Sequence, residues 1–192
     1  MITYLQIIDR KMLNLLSKRI RCKVLDKIMP LITALGNGAI VWAIISIYLI
    51  QNENYRIEGY MVIASIVLVT IIGEGIIKHI IKRTRPFEHM KINKLLISKP
   101  ITYSFPSGHT ASSFAASGIL IMMDNKLSIV AVVLASLIAF SRIYLNVHYP
   151  LDVITGIALG LICSKVVVTI FHSESINYLY LTVIPRVLYM RK

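Results

Sequence analysis

At 192 residues the chain has the length of a single domain. Hydrophobic residues make up 56% and the mean hydropathy is +0.72, which excludes an ordinary soluble globular chain and points to an integral membrane protein. Nine acidic against 21 basic residues leave a formal charge of +12, so the candidate partners are anionic lipid headgroups or a phosphorylated substrate, with nucleic acid disfavoured by the apolar content.

Residues 4–25 place Leu5, Ile8, Met12, Leu15, Leu16 and Ile20 at three- and four-residue steps with basic residues between them. That pattern predicts an amphipathic helix lying in the membrane interface over residues 1–27. A further span is the weaker reading, because Asp9, Arg10, Lys11, Lys18, Arg19, Arg21 and Lys23 interrupt the stretch. The same charges leave no continuous apolar core for a cleavable signal peptide, so insertion is assigned to the first true span.

A helix needs roughly 20 mostly apolar residues to cross the hydrocarbon core. Five segments approach this, near 29–50, 59–81, 107–123, 127–146 and 151–171, the third being short and starting with polar residues. A lone span satisfies its backbone only as a helix. The expected fold is therefore an all-α integral membrane protein: about five transmembrane helices within a core at 29–171, in one membrane-embedded domain covering 1–192. The tail after Phe171 reads as a further surface segment, and Cys22 and Cys163 read as packing residues. Five spans put 1–28, 82–106 and 147–150 on one side of the bilayer, and 51–58, 124–126 and the C-terminus on the other.

Three clusters carrying cations or histidine then share one face: Lys78 to Pro86, Pro106 to His109, and Ser141 to Asp152. In the first, Lys78, Lys82 and Arg85 are spaced to share a helix face, and Pro86 ends that helix. Lys82 and Arg83 read as snorkelling residues at a helix end. Lys78 lies deeper, with Glu74 one turn before it, and an intramembrane ionisable pair marks either function or a structural tie. In the second, Ser107 suits an N-cap, Gly108 lets a ligand approach the backbone, and the free N–H groups form an anion site. His109 stands in the first turn, placed to give a proton to a leaving oxygen. In the third, Arg142 ends one helix, while His148 and Asp152 flank Pro150 at the start of the next. Their four-residue separation predicts that Asp152 accepts a hydrogen bond from one ring nitrogen of His148, leaving the other free to attack.

Two histidines and an aspartate also make a metal-ligand set. Lys78, Arg85 and Arg142 would crowd a divalent cation, whereas an anion relieves their repulsion, so neither metal nor cofactor is expected. Guanidinium groups match phosphate oxygens and stabilise charge on a five-coordinate phosphorus.

Together the clusters resemble the three-part signature of the type 2 phosphatidic acid phosphatase superfamily: Lys-x6-Arg-Pro, Pro-Ser-Gly-His and Ser-Arg-x5-His-x3-Asp. All three occur intact and in order, at Lys78 to Arg85-Pro86, Pro106 to His109, and Ser141-Arg142 to His148 and Asp152. Leu25 to Asn37 also looks like the family's approach to its first core span. The resemblance implies that His148 is a nucleophile forming a phosphohistidine, oriented by Asp152. It implies that His109 protonates the leaving group and that Lys78, Arg85, Arg142, Ser107 and the Gly108 backbone hold the phosphoryl oxygens. The superfamily also holds soluble acid phosphatases and vanadate-dependent haloperoxidases, which five spans argue against.

The small membrane members that the chain most resembles are bacterial undecaprenyl pyrophosphate phosphatases, which regenerate the lipid carrier of cell-wall synthesis. Phosphatidylglycerophosphate and phosphatidic acid are the alternative substrates, and a non-hydrolytic phospholipid transporter is the alternative activity. The expected partners are the bilayer and a membrane lipid phosphate or pyrophosphate. Residues 87–105 fit either a lid over the headgroup or a linker resting on the bilayer. The resemblance implies a multi-pass protein of a bacterial-type plasma membrane with an extracytoplasmic site. The positive-inside count, weighted by the basic residues of 10–27, places that face in the cytoplasm.

Overall fold

Proline, glycine and charge divide the chain into helices, and the computed structural model, which describes residues 2–90, 92 and 94–172, contains no strand among them. The tail expected to be a surface segment lies outside the described residues from 173 onward. Helices α1 (Ile2–Ile20) and α2 (Lys23–Leu35) are followed by α3 (Ile40–Gln51) and α4 (Arg56–Thr70). A π-helical turn, Ile71–Ile77, joins α4 to the short α5 (Lys78–Ile81). Then come α6 (Pro86–His89), α7 (Gly108–Met122), α8 (Ser128–Tyr144) and α9 (Pro150–Phe171).

Two departures from the expected spans have local causes. The segment expected as one span over 29–50 is two helices bent by 48°. The break falls at Gly36-Asn37-Gly38-Ala39, where Gly38 and Ala39 both take positive φ, at 56° and 55°. The second departure is the π turn, which contains Gly73 and Gly75, both poor helix formers, immediately before Lys78.

Among the described residues, Arg56–His89 and Pro150–Phe171 are long and apolar enough to cross a bilayer, and the bent pair Lys23–Leu35 with Asn37–Gln51 makes a third. Helices α7 and α8, at 15 and 17 residues, fall short of a lone span. For α7 the reason is its position. It packs against α4, α8 and α9, and most of its side chains are buried. A helix so enclosed needs no apolar skirt of its own.

The apolar groups instead face outward. Ile44 and Ile47 of α3, Ile63 and Val67 of α4, Ile129, Val130 and Val133 of α8, and Ile154, Ile162 and Val166 of α9 are all exposed. Inside, small hydroxyl residues fill the contacts: Ser46, Ser65, Ser113, Ser117 and Ser164 are buried. Trp42 Nε1 donates to Ser113 Oγ at 3.0 Å, tying α3 to α7. An apolar exterior over an interior of small and hydroxyl residues suits hydrocarbon solvent, where helices gain from packing and interhelical hydrogen bonds.

Close approach of α9 to α7 depends on Gly156 and Gly160, a small-xxx-small pair. A Cβ on Gly160 would stand 2.5 Å from Ala111 O and 2.8 Å from Ala115 N, and one on Gly156 would stand 2.8 Å from Ser107 O. These neighbours are main-chain atoms and have no rotamer with which to retreat. Since α7 and α9 begin with Gly108 and Pro150, their separation also sets the spacing of two of the sequence clusters.

Gly160→Val should therefore cost at least about 1–3 kcal/mol from overpacking. We expect a lower thermal midpoint in detergent by fluorescence or light scattering. Gly75→Ala is the control, because a Cβ there meets nothing within 4 Å, and it should unfold like the unmodified chain.

Candidate active site

Five parts of the chain meet around one cavity. They are the α2–α3 bend, the exit of α5, the start of α7, the last turn of α8 and the start of α9. Between them lies a cavity of about 910 Å³ whose walls include Lys78, Arg85, Gly108, His109, Arg142 and His148. Six of the eight residues singled out in the sequence thus share one chamber. Ser107 and Asp152 lie behind its wall.

The cations reach the cavity by different routes. Lys78 is buried, with Nζ 2.6 Å from Glu74 and 3.3 Å from Thr102 Oγ1. Arg85 does not share a helix face with Lys78 and Lys82, as its spacing suggested. The helix stops earlier, at Lys82, which takes a left-handed φ of 48° and is exposed. Pro86 opens a new helix, and the residue before a proline is pushed into extended geometry, here φ −80° and ψ 155°. That geometry buries Arg85. Its Nε donates to Thr102 O at 2.7 Å, Nη1 to Val147 O at 2.8 Å, and Nη2 to Tyr103 O at 3.2 Å. Arg142 is buried, and its Nη1 donates to Thr33 Oγ1 at 2.5 Å. Its Nε has no hydrogen-bond partner.

The two histidines are held from opposite sides. His148 Nε2 lies 3.2 Å from Arg85 Nη1, and its Nδ1 lies 3.6 Å from Asp152 Oδ2 with no hydrogen-bond partner. The hydrogen bond expected between His148 and Asp152 is therefore absent, the two atoms standing beyond hydrogen-bond distance. The oxygens of Asp152 are taken by other donors: Ser104 Oγ at 2.5 Å and Tyr149 N–H at 2.9 Å on Oδ2, and Arg83 Nη1 at 2.6 Å on Oδ1. Burial, then the charges of Arg85, Arg142 and Lys78, hold the His148 imidazole well below its ordinary pKa. The ring is neutral at neutral pH, and its Nε2 lone pair accepts from Arg85 Nη1.

His109 Nε2 is 2.8 Å from Asn37 Oδ1, so the ring donates from Nε2 and its orientation is set by the α2–α3 bend. Gly36 permits this approach, since a Cβ there would stand 2.9 Å from His109 Cδ2. Ser107 occupies the N-cap position of α7 but makes no side-chain cap. Its hydroxyl pairs with Thr110 Oγ1 at 2.9 Å, and its N–H donates to Asp152 O at 3.0 Å. It is thus a strut between α7 and α9. At Gly108 the Glu74 carboxylate already lies where a Cβ would be.

Arg83 also departs from its expected place as a snorkelling residue. It forms ion pairs with Asp9 and Asp152, both at 2.6 Å, and its guanidinium lies 4.1 Å from the centre of the Tyr149 ring. Thr33, Asn37, Thr102 and Ser104 were likewise not singled out in the sequence. For Arg83 and Asn37 the signal was faint, a second arginine before Arg85-Pro86 and a helix-breaking Gly-Asn-Gly. For Ser104 and Thr102 there was none. Residues Ile97 to Thr102 form part of the cavity wall, so this portion of segment 87–105 borders the site.

Among the described residues the cavity is lined by buried Lys78, Arg85 and Arg142 and by exposed Lys99 against the single carboxylate of Glu74, an excess of three positive charges. Among the described residues no three His, Cys, Asp or Glu side chains gather to hold a metal ion. A tetrahedral oxyanion would satisfy the open Arg142 Nε and the α7 N-terminus together.

Comparison with known proteins gives a consistent result. Residues 59–175 match the model of the PAP2 superfamily. An undecaprenyl-diphosphatase of Sulfolobus acidocaldarius is 35% identical over 121 residues, covering 62% of this chain and 58% of that protein. Undecaprenyl-diphosphatase BcrC of Bacillus subtilis is 30% identical over 72% of this chain and 71% of its own length. The chain spans 58% and 56% of the length of the first curated relatives it matches. Among solved structures, Aquifex aeolicus LpxE superposes with a TM-score of 0.70 at 27% identity, covering 83% of this chain and 93% of LpxE. A Bacillus subtilis PAP2-type phosphatidylglycerolphosphate phosphatase superposes with a TM-score of 0.69 at 25% identity, covering 87% and 86%.

An anion that binds only the folded protein at 100 times its dissociation constant adds about 2.7 kcal/mol of stability. Orthovanadate should therefore raise the thermal midpoint of the detergent-solubilised chain by several degrees. Arg142→Gln should need at least about tenfold more vanadate for the same shift, for the loss of one charge-assisted donor.

Proposed function

The chain belongs to the PAP2 superfamily, and from that premise we propose that it is a membrane lipid phosphatase acting through a phosphohistidine. The carrying observation is a single cavity at which three buried cations and two histidines meet without enough carboxylate to neutralise them.

In the proposed reaction His148 Nε2 forms a bond to phosphorus as the bond from phosphorus to the leaving oxygen breaks. His109, as the imidazolium that the bound anion favours, gives one proton to that oxygen and is left as the neutral ring. Lys78, Arg85, Arg142 and the Gly108 backbone bind the equatorial oxygens, whose charge grows in the transition state. Water then attacks phosphorus, the P–N bond breaks, and the water proton passes to His109, releasing inorganic phosphate and restoring both rings. Asp152, 3.6 Å from His148 Nδ1, stabilises the positive charge that the ring acquires on phosphorylation.

For the substrate we favour a polyprenyl diphosphate of the undecaprenyl kind, cleaved to its monophosphate. The names of the two relatives described above support this choice. Phosphatidylglycerophosphate is the second reading, supported by the likeness to the Bacillus subtilis phosphatase structure. In this reading the α2–α3 pair, the α4–α5 rod, α7, α8 and α9 make five crossings. The two short helices traverse because the bundle surrounds one and exposed Ile and Val clothe the other. The site faces outward from the plasma membrane.

The purified chain should release phosphate from undecaprenyl diphosphate in the presence of EDTA, faster than from phosphatidylglycerophosphate or phosphatidic acid. His148→Ala should lower turnover by at least about 1,000-fold and His109→Ala by about 100- to 10,000-fold. Loss of activity with the chelator, or turnover that survives His148→Ala, would overturn the mechanism. For sidedness, Lys99→Cys on the cavity wall should react with a membrane-impermeant maleimide in intact cells. Protection until lysis would put the site inside.

A further inference from the structure

The proposed chemistry leaves the buried carboxylate of Asp9 without a task. Asp9 lies on α1, a helix otherwise marked by exposed apolar and basic residues, yet it is wholly buried. A carboxylate is withdrawn from water at such a cost only where partners replace its hydration. Its partners here are specific. Oδ2 accepts from Arg83 Nη2 at 2.6 Å, and Oδ1 accepts from Leu151 N–H at 3.0 Å. That amide is in the first turn of α9, where N–H groups have no partner within the helix. Asp9 thus caps α9 from a distant part of the chain, next to Asp152.

Arg83 links the two carboxylates. Its Nη1 donates to Asp152 Oδ1 and its Nη2 to Asp9 Oδ2, both at 2.6 Å. The Tyr149 ring lies against the guanidinium at 4.1 Å, and Tyr149 is the neighbour of His148. Leu13, one turn after Asp9, is wholly buried, and Arg10 contacts His89 of α6, so α1 is docked at several points. Arginine suits the bridge because its planar fork can serve two carboxylates at once, which a lysine point charge does not do with the same geometry.

We propose that Asp9 and Arg83 are positioning residues for catalysis, forming with Asp152 a buried carboxylate–guanidinium–carboxylate relay through which α1 sets the carboxylate facing His148. This rests on the phosphatase reading above. The electrostatics fix the sign of each change. With Asp9 present, the charge of Arg83 is divided between two anions. Without it, Arg83 pulls on Asp152 alone and draws it from His148. Without Arg83, two buried carboxylates face each other uncompensated, and Asp152 loses the charge that the phosphorylated ring requires. Removing both the cation and one of the anions relieves that repulsion.

The test is a double-mutant cycle in the full chain with Asp9→Asn, Arg83→Gln and the pair together, assayed for phosphate release from undecaprenyl diphosphate. Asparagine keeps a carbonyl oxygen for Leu151 N–H, so the α9 cap survives. We expect kcat to fall by about tenfold for Asp9→Asn and about 100-fold for Arg83→Gln, with the double variant above Arg83→Gln alone. KM should stay within about twofold throughout, because Lys78, Arg85 and Arg142 are untouched. A merely structural role lowers the thermal midpoint and the folded fraction of each variant but leaves kcat per folded molecule unchanged. Wild-type turnover with an unchanged Asp9→Asn kcat, or a double variant below Arg83→Gln, overturns the relay alone. A wild-type chain that releases no phosphate from any lipid overturns the phosphatase reading and the relay with it.

Discussion

Three cations buried around one cavity, with one carboxylate beside them, form the constraint that organises this end of the molecule. Like charges held in a medium of reduced polarity repel strongly, and each pays for its desolvation besides. The chain meets this with neutral acceptors. Carbonyls of Thr102, Tyr103 and Val147 receive Arg85, and the Thr33 hydroxyl receives Arg142. Such partners hold a cation in place without cancelling its charge, so the field stays available to an anion. Neutralising each cation with its own carboxylate would have given a more comfortable protein and a site that binds phosphate poorly.

Those acceptors come from the segment after α6, from the α2 helix and from the turn between α8 and α9. The fold is arranged to bring them together. The α7–α9 contact, tightened by Gly156 and Gly160, puts two helix starts side by side, and the Ser107 amide spans them to Asp152 O at 3.0 Å. The bend at 36–39 brings Asn37 to His109. The π turn precedes Lys78, so Glu74 and Lys78 sit where helix geometry is locally altered, a frequent setting for functional side chains. Irregular backbone beside an apolar bundle is tolerated because it lines a polar cavity.

What the sequence made legible follows from what spacing encodes. The cavity-lining residues Lys78, Arg85, Gly108, His109, Arg142 and His148 were found because each lies at or beside a helix end, and helix ends are what the spacing of apolar segments marks. Helix-period reasoning failed where the helix itself stopped. Arg85 was placed on the face of Lys78, whereas the left-handed Lys82 and the proline at 86 deliver it by an extended strand of backbone. The expected His148–Asp152 hydrogen bond was a pairwise inference at i,i+4. It missed Ser104, whose hydroxyl competes for the same oxygen from 48 residues away. Arg83 and Asp9, separated by 74 positions, carry no joint signature at all. Each was read alone, as a snorkelling cation and as an interruption in an amphipathic helix.

The contrast between Arg83 and Arg85, two residues apart, shows how this chain distinguishes structure from chemistry. Both are arginines in the stretch Arg83-Thr84-Arg85-Pro86 and both are largely enclosed. Arg83 meets two carboxylates and an aromatic ring, so its charge is spent within the protein and cannot attract a ligand. Arg85 meets carbonyls, a hydroxyl and the Nε2 of His148, so its charge is unspent and directed at the cavity. Exchanging these surroundings would leave composition and net charge unaltered, yet it would cancel the charge Arg85 offers the chamber and leave Arg83 without a counter-ion. Function here resides in which arginine has been denied a carboxylate, a property of the fold that no count of basic residues contains.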